Sequence, residues 1–259
     1  MCLREQVTLQ WPERLRPPYA HRSWRRRSRS WTRSRRSSRP TWTPGGGAGD
    51  RGQRLEPDPR SLRVPEGWER KKIADVGETI GGGTPSTNIA EYWDGDITWV
   101  VPTDVTRNGC LALLDSARKI TEKGLRESSA RMVPAETILM TSRASVGFFA
   151  LVDQPICTNQ GFINIIPYRH ELRMVLLFNL MSRVDEIRSN AKGSTYPEIS
   201  KGRFREMDVI IPVETLTAEF SGVVNNIVQQ VRSLKRMTLQ LTHARDLLLP
   251  RLMNGEINI

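Results

Sequence analysis

Apolar positions along this chain change their pattern twice. Over residues 1–62 they follow no period: HRSWRRRSRSWTRSRRSSRP at 21–40 mixes Arg, Ser, Trp and Pro, and PGGGAGDRG at 44–52 continues as glycine-rich punctuation. Such a stretch builds no packed core and reads as a disordered leader. From Val64 the texture is that of a mixed fold. Ile73, Val76 and Ile80 are spaced as one face of a short helix running into an extended segment. DITWVVP (96–102), TILMTSR (137–143), VGFFALVD (146–153), FINIIP (162–167) and MDVIIPV (207–213) are short apolar runs and predict strands. Thr121 is placed to cap a short helix weakened by Gly124. Residues 171–191 predict one helix with a single buried stripe, Leu172, Leu176, Leu180 and Val184, with Val175 and Ile187 beside it.

The third regime is C-terminal. Steps of four and three from Phe220 reach Val224, Ile227, Val231, Leu234, Thr238, Leu241, Arg245, Leu248 and Leu252. Eight of these ten positions are apolar, and a mean step of 3.5 is the seam of a coiled coil. One helix over 214–241 would reach about 40 Å. No other segment has this pattern, so the expected partner of the seam is another chain; an amphipathic helix folded back on its own domain is the alternative. The expected fold is thus α+β: a leader over 1–62, a mixed-sheet domain over 63–213, and a long coiled-coil helix within 214–259.

Charge changes this picture less than its total suggests. The net +11 resides wholly in residues 1–63, which hold 16 Arg and no Lys against 5 acidic residues; the remainder has 23 basic and 23 acidic residues. A DNA-binding argument for the folded part therefore cannot rest on isoelectric point. The leader is either a basic arm for phosphates or a segment that takes no part. Three cysteines, Cys2, Cys110 and Cys157, form no paired framework and no C-x-x-C ligand set, and the longest apolar run, VLLF at 175–178, is too short to span a bilayer. A cytoplasmic location is the expectation, without membrane partners.

A search for catalytic chemistry finds little. His21, His170 and His243 have no ligand spacing, no G-x-x-x-x-G-K-[ST] occurs, and GGG at 81–83 does not fit G-x-G-x-x-G. Pro57-Asp58 followed by Glu69-Arg70-Lys71 resembles a metal-dependent nuclease pattern, but Asp58 lies between two prolines where a central strand is disfavoured. The expectation is no catalytic residue and no metal in this chain; a nuclease, or a truncated remnant or scaffold, is the alternative. What remains is a group of polar loops punctuated by glycine: GGGTPST (81–87), TSRAS (141–145), TNQGF (158–162) and GSTYPEISKGRF (193–204). Their side chains suit phosphate oxygens or base edges, and glycine lets backbones approach closely.

These same residues carry a resemblance. GGTPST, YWDGDITWV, KITEKGLRESSARMVP, TILMTSRASVG, TNQGF, GSTYPEISKGRF, IIP and LLLPRLMNGEI, in that order from Val64 to Ile259, are similar to one target-recognition domain plus one long helix of the specificity subunit of type I restriction-modification systems. Members usually carry two of each, so this chain resembles a half-length form. The resemblance implies a non-catalytic reader of one half of a bipartite double-stranded DNA target. It also implies docking to methyltransferase and restriction subunits, which would hold S-adenosylmethionine, ATP and Mg. The seam of Phe220, Val224, Ile227, Val231, Leu234, Leu241, Leu248 and Leu252 would pair with a second copy or another half-subunit.

In that reading Gly81, Gly82 and Gly83 form a corner at the sheet rim, Thr84, Ser86 and Thr87 face the DNA backbone, and Trp93 and Trp99 anchor the corner from beneath. Arg143 would contact a base edge or phosphate, its planar fork suiting guanine. Asn159 and Gln160 would read adenine or satisfy loop backbone. Ser194, Thr195 and Lys201 would meet phosphates or cap a helix.

Overall fold

Residues 64–193 and 195–256 are described by a computed structural model; the chain divides into two units, 1–63 and 64–259. The expected leader, with Asp58, and Ser194 lie outside the described residues.

A two-stranded ribbon ties the start of the domain to its end. Its strands are β1 (Glu69–Lys72) and β10 (Asp208–Ile211), antiparallel with Lys72 opposite Asp208. Lys72 Nζ also pairs with Asp208 Oδ1 at 2.7 Å. A short helix, α1 (Ile73–Val76), then buries Ile73 and Val76 and leads into β2 (Gly77–Gly81). That strand edges an antiparallel sheet of four in the order β2, β9 (Phe162–Pro167), β6 (Ile138–Thr141), β7 (Phe149–Leu151). A second sheet runs β4 (Lys119–Ile120), β3 (Trp93–Val100), β8 (Ile156–Thr158), β5 (Met132–Val133), with β3 and β8 parallel.

The apolar runs do not alternate because the four-stranded sheet of β6 is covered on both faces. Ile138, Met140, Ile163 and Ile165 enter a core shared with helical residues such as Leu176 and Phe204. Leu139, Ala150 and Phe162 point the other way, onto Val100, Val133 and Ile156 of the second sheet. Cys157, opposite Trp99 across β3 and β8, joins a small core with Ile120 and Ala130, and burial, with Glu122 nearby, pushes its thiol up to about 11. It is a core residue held as a neutral thiol.

Four further short helices connect these strands: α2 (Pro102–Arg107), α3 (Glu122–Arg126), α5 (Val184–Ser189) and α6 (Lys201–Arg205). Pro102 opens α2 at its first turn, where a missing N–H costs nothing, and the Val101 N–H donates to Asp104 Oδ2 at 2.9 Å. Thr121 caps α3 as expected, its hydroxyl accepting from Gly124 N. Gly124 is required rather than tolerated, since a Cβ there would lie 2.5 Å from the Tyr92 carbonyl.

The single helix expected over 171–191 is two. Between α4 (Leu172–Ser182) and α5, Arg183 leaves helical geometry at φ −114, ψ 24 and spends its guanidinium on Glu186 and the Asp208 carbonyl. The single buried stripe is also corrected. Leu172, Arg173, Met174, Val175, Leu176, Leu177, Asn179 and Leu180 are all buried, because α4 lies between a sheet and the last helix.

That last helix, α7 (Glu214–Met253), has 40 residues and is about 60 Å long. Its buried face is Thr217, Ser221, Val224, Val228 and Arg232. Ser221 Oγ donates to the Glu171 carbonyl at 2.6 Å, and Phe220 meets Phe178 edge to face at 5.7 Å. The first half of α7 is therefore a helix folded onto its own domain. From Arg236 to Glu256 every residue is exposed. No helix among the described residues is long and apolar enough to cross a membrane.

Candidate functional site

Four loops arrive at one rim of the domain, held to one another by backbone hydrogen bonds. The chain leaves β2 at Gly81, and Gly83 N donates to the Thr158 carbonyl at the end of β8. Asn159 N donates to the Val100 carbonyl at the end of β3. Ser142 N, just past β6, donates to the Gly161 carbonyl at 2.8 Å. The loop before α6 closes the set: Ile199 N donates to the Ser142 carbonyl, Ala144 N to the Pro197 carbonyl, and Arg143 bridges Glu198.

The glycine corner owes its composition to close approach. A Cβ on Gly82 would lie 2.1 Å from the Asn159 carbonyl, and one on Gly83 2.1 Å from that of Ser129. Neither needs a left-handed backbone; each lets two loops touch. The tryptophans pin this corner from beneath. Trp99, buried, donates its indole N–H to the Gly83 carbonyl at 2.9 Å, and Trp93 donates to the Ser86 carbonyl at 3.0 Å. Their rings meet edge to face at 5.0 Å, and the Arg118 guanidinium lies 3.9 Å from the Trp93 ring centroid. Neither ring is offered for stacking on a base.

The rim encloses a concave site of about 410 Å³ lined by Pro102, Arg143, Ala144, Asn159, Gln160, Gly161 and Tyr196. Arg143 is half exposed, its Nε 3.7 Å from Glu198 Oε2. Ala144 holds a left-handed backbone at φ 61, a conformation that costs a non-glycine residue about 1 kcal/mol and turns the loop so that Arg143 stands at its tip. Thr84 donates its hydroxyl to Gln160 Oε1, and Gly161 N donates to Asn159 Oδ1 at 2.9 Å.

Arg143, Asn159 and Gln160 thus share one cavity, with Thr84 bonded to it. Ser86 and Thr87 are exposed beyond the corner, and Thr195 is exposed in the loop before α6. Lys201 is the exposed first residue of α6, whose cap is Ser200, with its hydroxyl accepting from Arg203 N. Capping of that helix by Thr195 is therefore excluded. Pro102 and Tyr196 were not anticipated; Tyr196, 67% exposed, stood in a loop already singled out and ahead of a proline, a signal open to reading. Glu69 pairs with Lys71 at 2.6 Å, and no three His, Cys, Asp or Glu gather as a metal-binding group among the described residues.

The seam residues divide. Val224 is buried, Phe220 packs on the core, and Val231 is half-buried. Ile227, Leu234, Leu241, Leu248 and Leu252 are exposed. Where α7 leaves the domain, three cations fasten it. Arg232 Nη1 donates to Glu136 Oε1 at 3.1 Å and Nη2 to the Val152 carbonyl at 3.2 Å; Lys235 reaches Asn108 and the Ala112 carbonyl; Arg236 pairs with Asp153. Glu136 also receives Arg173, so one carboxylate serves two buried guanidiniums. Burial, then repulsion from Arg232, brings Arg173 down to about 10, still charged at neutral pH.

Comparison with known proteins places this arrangement. A family model described as the type I restriction modification DNA specificity domain matches residues 65–219. The specificity subunit of type I restriction enzyme MjaIX from Methanocaldococcus jannaschii is 37% identical over 188 residues, 69% of this chain and 44% of that protein. That of HindI from Haemophilus influenzae is 29% identical over 197 residues, 75% of this chain and 42% of that protein. This chain spans less than half the length of either. The crystal structure of a type I restriction-modification S subunit from M. genitalium superposes with a TM-score of 0.54 at 13% identity, covering 74% of this chain and 47% of that one. At that identity the likeness concerns the fold.

Proposed function

Since the chain belongs to the type I restriction-modification DNA specificity family, we propose that it is the DNA-reading subunit of such a complex and carries no chemistry of its own. Its target-recognition domain reads one half of a split double-stranded site through the rim of Thr84, Arg143, Asn159 and Gln160. Ser86, Thr87, Thr195 and Lys201 serve the flanking phosphates. Methyltransferase and restriction subunits bring S-adenosylmethionine, ATP and Mg. The observation that carries this reading is the convergence of four polar loops on one rim, around a concavity whose single charged lining group is Arg143.

Charge explains why partners are needed. Beyond residue 63 basic and acidic residues balance, so few phosphates are neutralised and the domain alone grips DNA weakly. The exposed leucines of the second half of α7 supply the other contact, pairing with a second copy of this chain about a two-fold axis. Two identical readers then face a palindromic split target.

Arg143→Ala tests the reading at its tip. In complex with the methyltransferase subunit, competition between duplexes differing at single base pairs should show discrimination relaxed at one pair by about 1–3 kcal/mol. Equal weakening on every duplex would make Arg143 a phosphate contact instead.

A further inference from the structure

A hydrogen bond inside the rim decides which atoms of the Asn159 amide are left for a ligand. Asn159 Oδ1 accepts the Gly161 peptide N–H. A peptide N–H only donates, so this amide cannot sit the other way round, and among the described residues its NH2 group has no protein partner. Gln160 meets the Thr84 hydroxyl, which can donate or accept, so that contact does not fix which way its amide faces. Arg143 has donors alone, and with Nε beside Glu198 its two terminal nitrogens are left. Pro102, Ala144 and Gly161 add no polar side-chain atom to the lining. Besides the amide oxygens, the Tyr196 hydroxyl is the one lining side-chain group that can accept.

For Asn159 this weighs against the bidentate adenine contact expected of it. Adenine shows one acceptor and one donor in the major groove, and a bidentate amide must offer its own oxygen to N6. The Asn159 oxygen already gives one of its two lone pairs to the loop. Guanine shows two adjacent acceptors, N7 and O6. Resting on the DNA-reading function proposed above, we infer that this rim is a guanine reader, with Asn159 Nδ2 and the Arg143 fork donating to one G·C pair. A phosphate also offers adjacent acceptors. The base edge is favoured because, of the four lining side-chain donors, Arg143 alone is charged and the rest are two amides and a hydroxyl set in a concavity, whereas a phosphate is served by exposed cations.

The test is selection from randomised duplex DNA by the full chain in complex with its methyltransferase subunit, comparing the native chain with Asn159→Asp. Aspartate keeps one oxygen for Gly161 N–H and turns the outward donor into an acceptor. The native complex should select a motif containing guanine, and N159D should change one base pair alone, toward cytosine or adenine, by about 5- to 100-fold. Arg143→Gln, at a half-exposed side chain, provides a second variant should N159D fail to fold, and it should lose the guanine preference at the same base pair. An unchanged motif, or equal weakening over all sequences as for a phosphate contact, would overturn the inference and leave DNA reading intact. A native complex that selects no motif would sink the DNA reading and the inference together.

Discussion

Glu136→Gln should destabilise the full chain by about 3 kcal/mol, seen as a lower urea midpoint at unchanged slope. The reason is the count of charges at the point where α7 leaves the domain. Arg173 and Arg232 are almost fully buried, at 2% each, and Glu136 is the carboxylate in contact with both. The substitution keeps shape but leaves two guanidiniums facing a neutral amide. Removing one partner from a buried pair costs about 3–5 kcal/mol; the lower end applies because the Glu136 side chain is a third exposed and water can respond. Against a typical total stability of about 5–15 kcal/mol this is a large share. Replacing both arginines by methionine alongside Glu136→Gln should restore much of the loss, since a packed apolar cluster needs no counter-ion.

Leu241→Glu with Leu248→Glu should abolish self-association while leaving the fold intact. Both leucines are more than half exposed in the single chain, at 68% and 52%, and every described residue beyond Arg236 is exposed. Each buries about 1.5–3 kcal/mol of apolar contact in a paired helix, so losing two weakens pairing by at least about a hundredfold. Analytical ultracentrifugation checks this directly: the native chain should sediment as a concentration-dependent dimer and the variant as a monomer with the native urea midpoint.

The parts of the fold legible from sequence are those set by local pattern. The central strands are short apolar runs with turn residues at their ends, and Thr121 caps α3 within its own segment. The two-residue strands β4 and β5 and the charged β1, ERKK, were not legible, since their pairing comes from distant partners. Nor was the face of α7. The heptad pattern counts Arg232 as polar and Phe220 as seam, yet Arg232 is buried because Glu136 waits 96 residues earlier in the chain. The break at Arg183 is likewise set by Asp208, 25 residues on.

At the site, residue types were legible and their orientations were not. Glycine beside Ser, Thr, Asn and Gln marks a recognition loop from sequence alone. That Gly82 and Gly83 serve close approach depends on their meeting Asn159 and Ser129, far along the chain; the inward turn of the Asn159 oxygen, by contrast, is a local bond to Gly161 N–H.

The central claim is that this chain reads half of a DNA target and is completed by a twin through α7. Sequencing methylated DNA from cells that coexpress the native chain and its methyltransferase subunit tests it most directly. The account predicts one split motif with identical, inverted halves, lost when Leu241 and Leu248 are replaced by glutamate. Methylation without a motif, or a motif with unrelated halves, would contradict it.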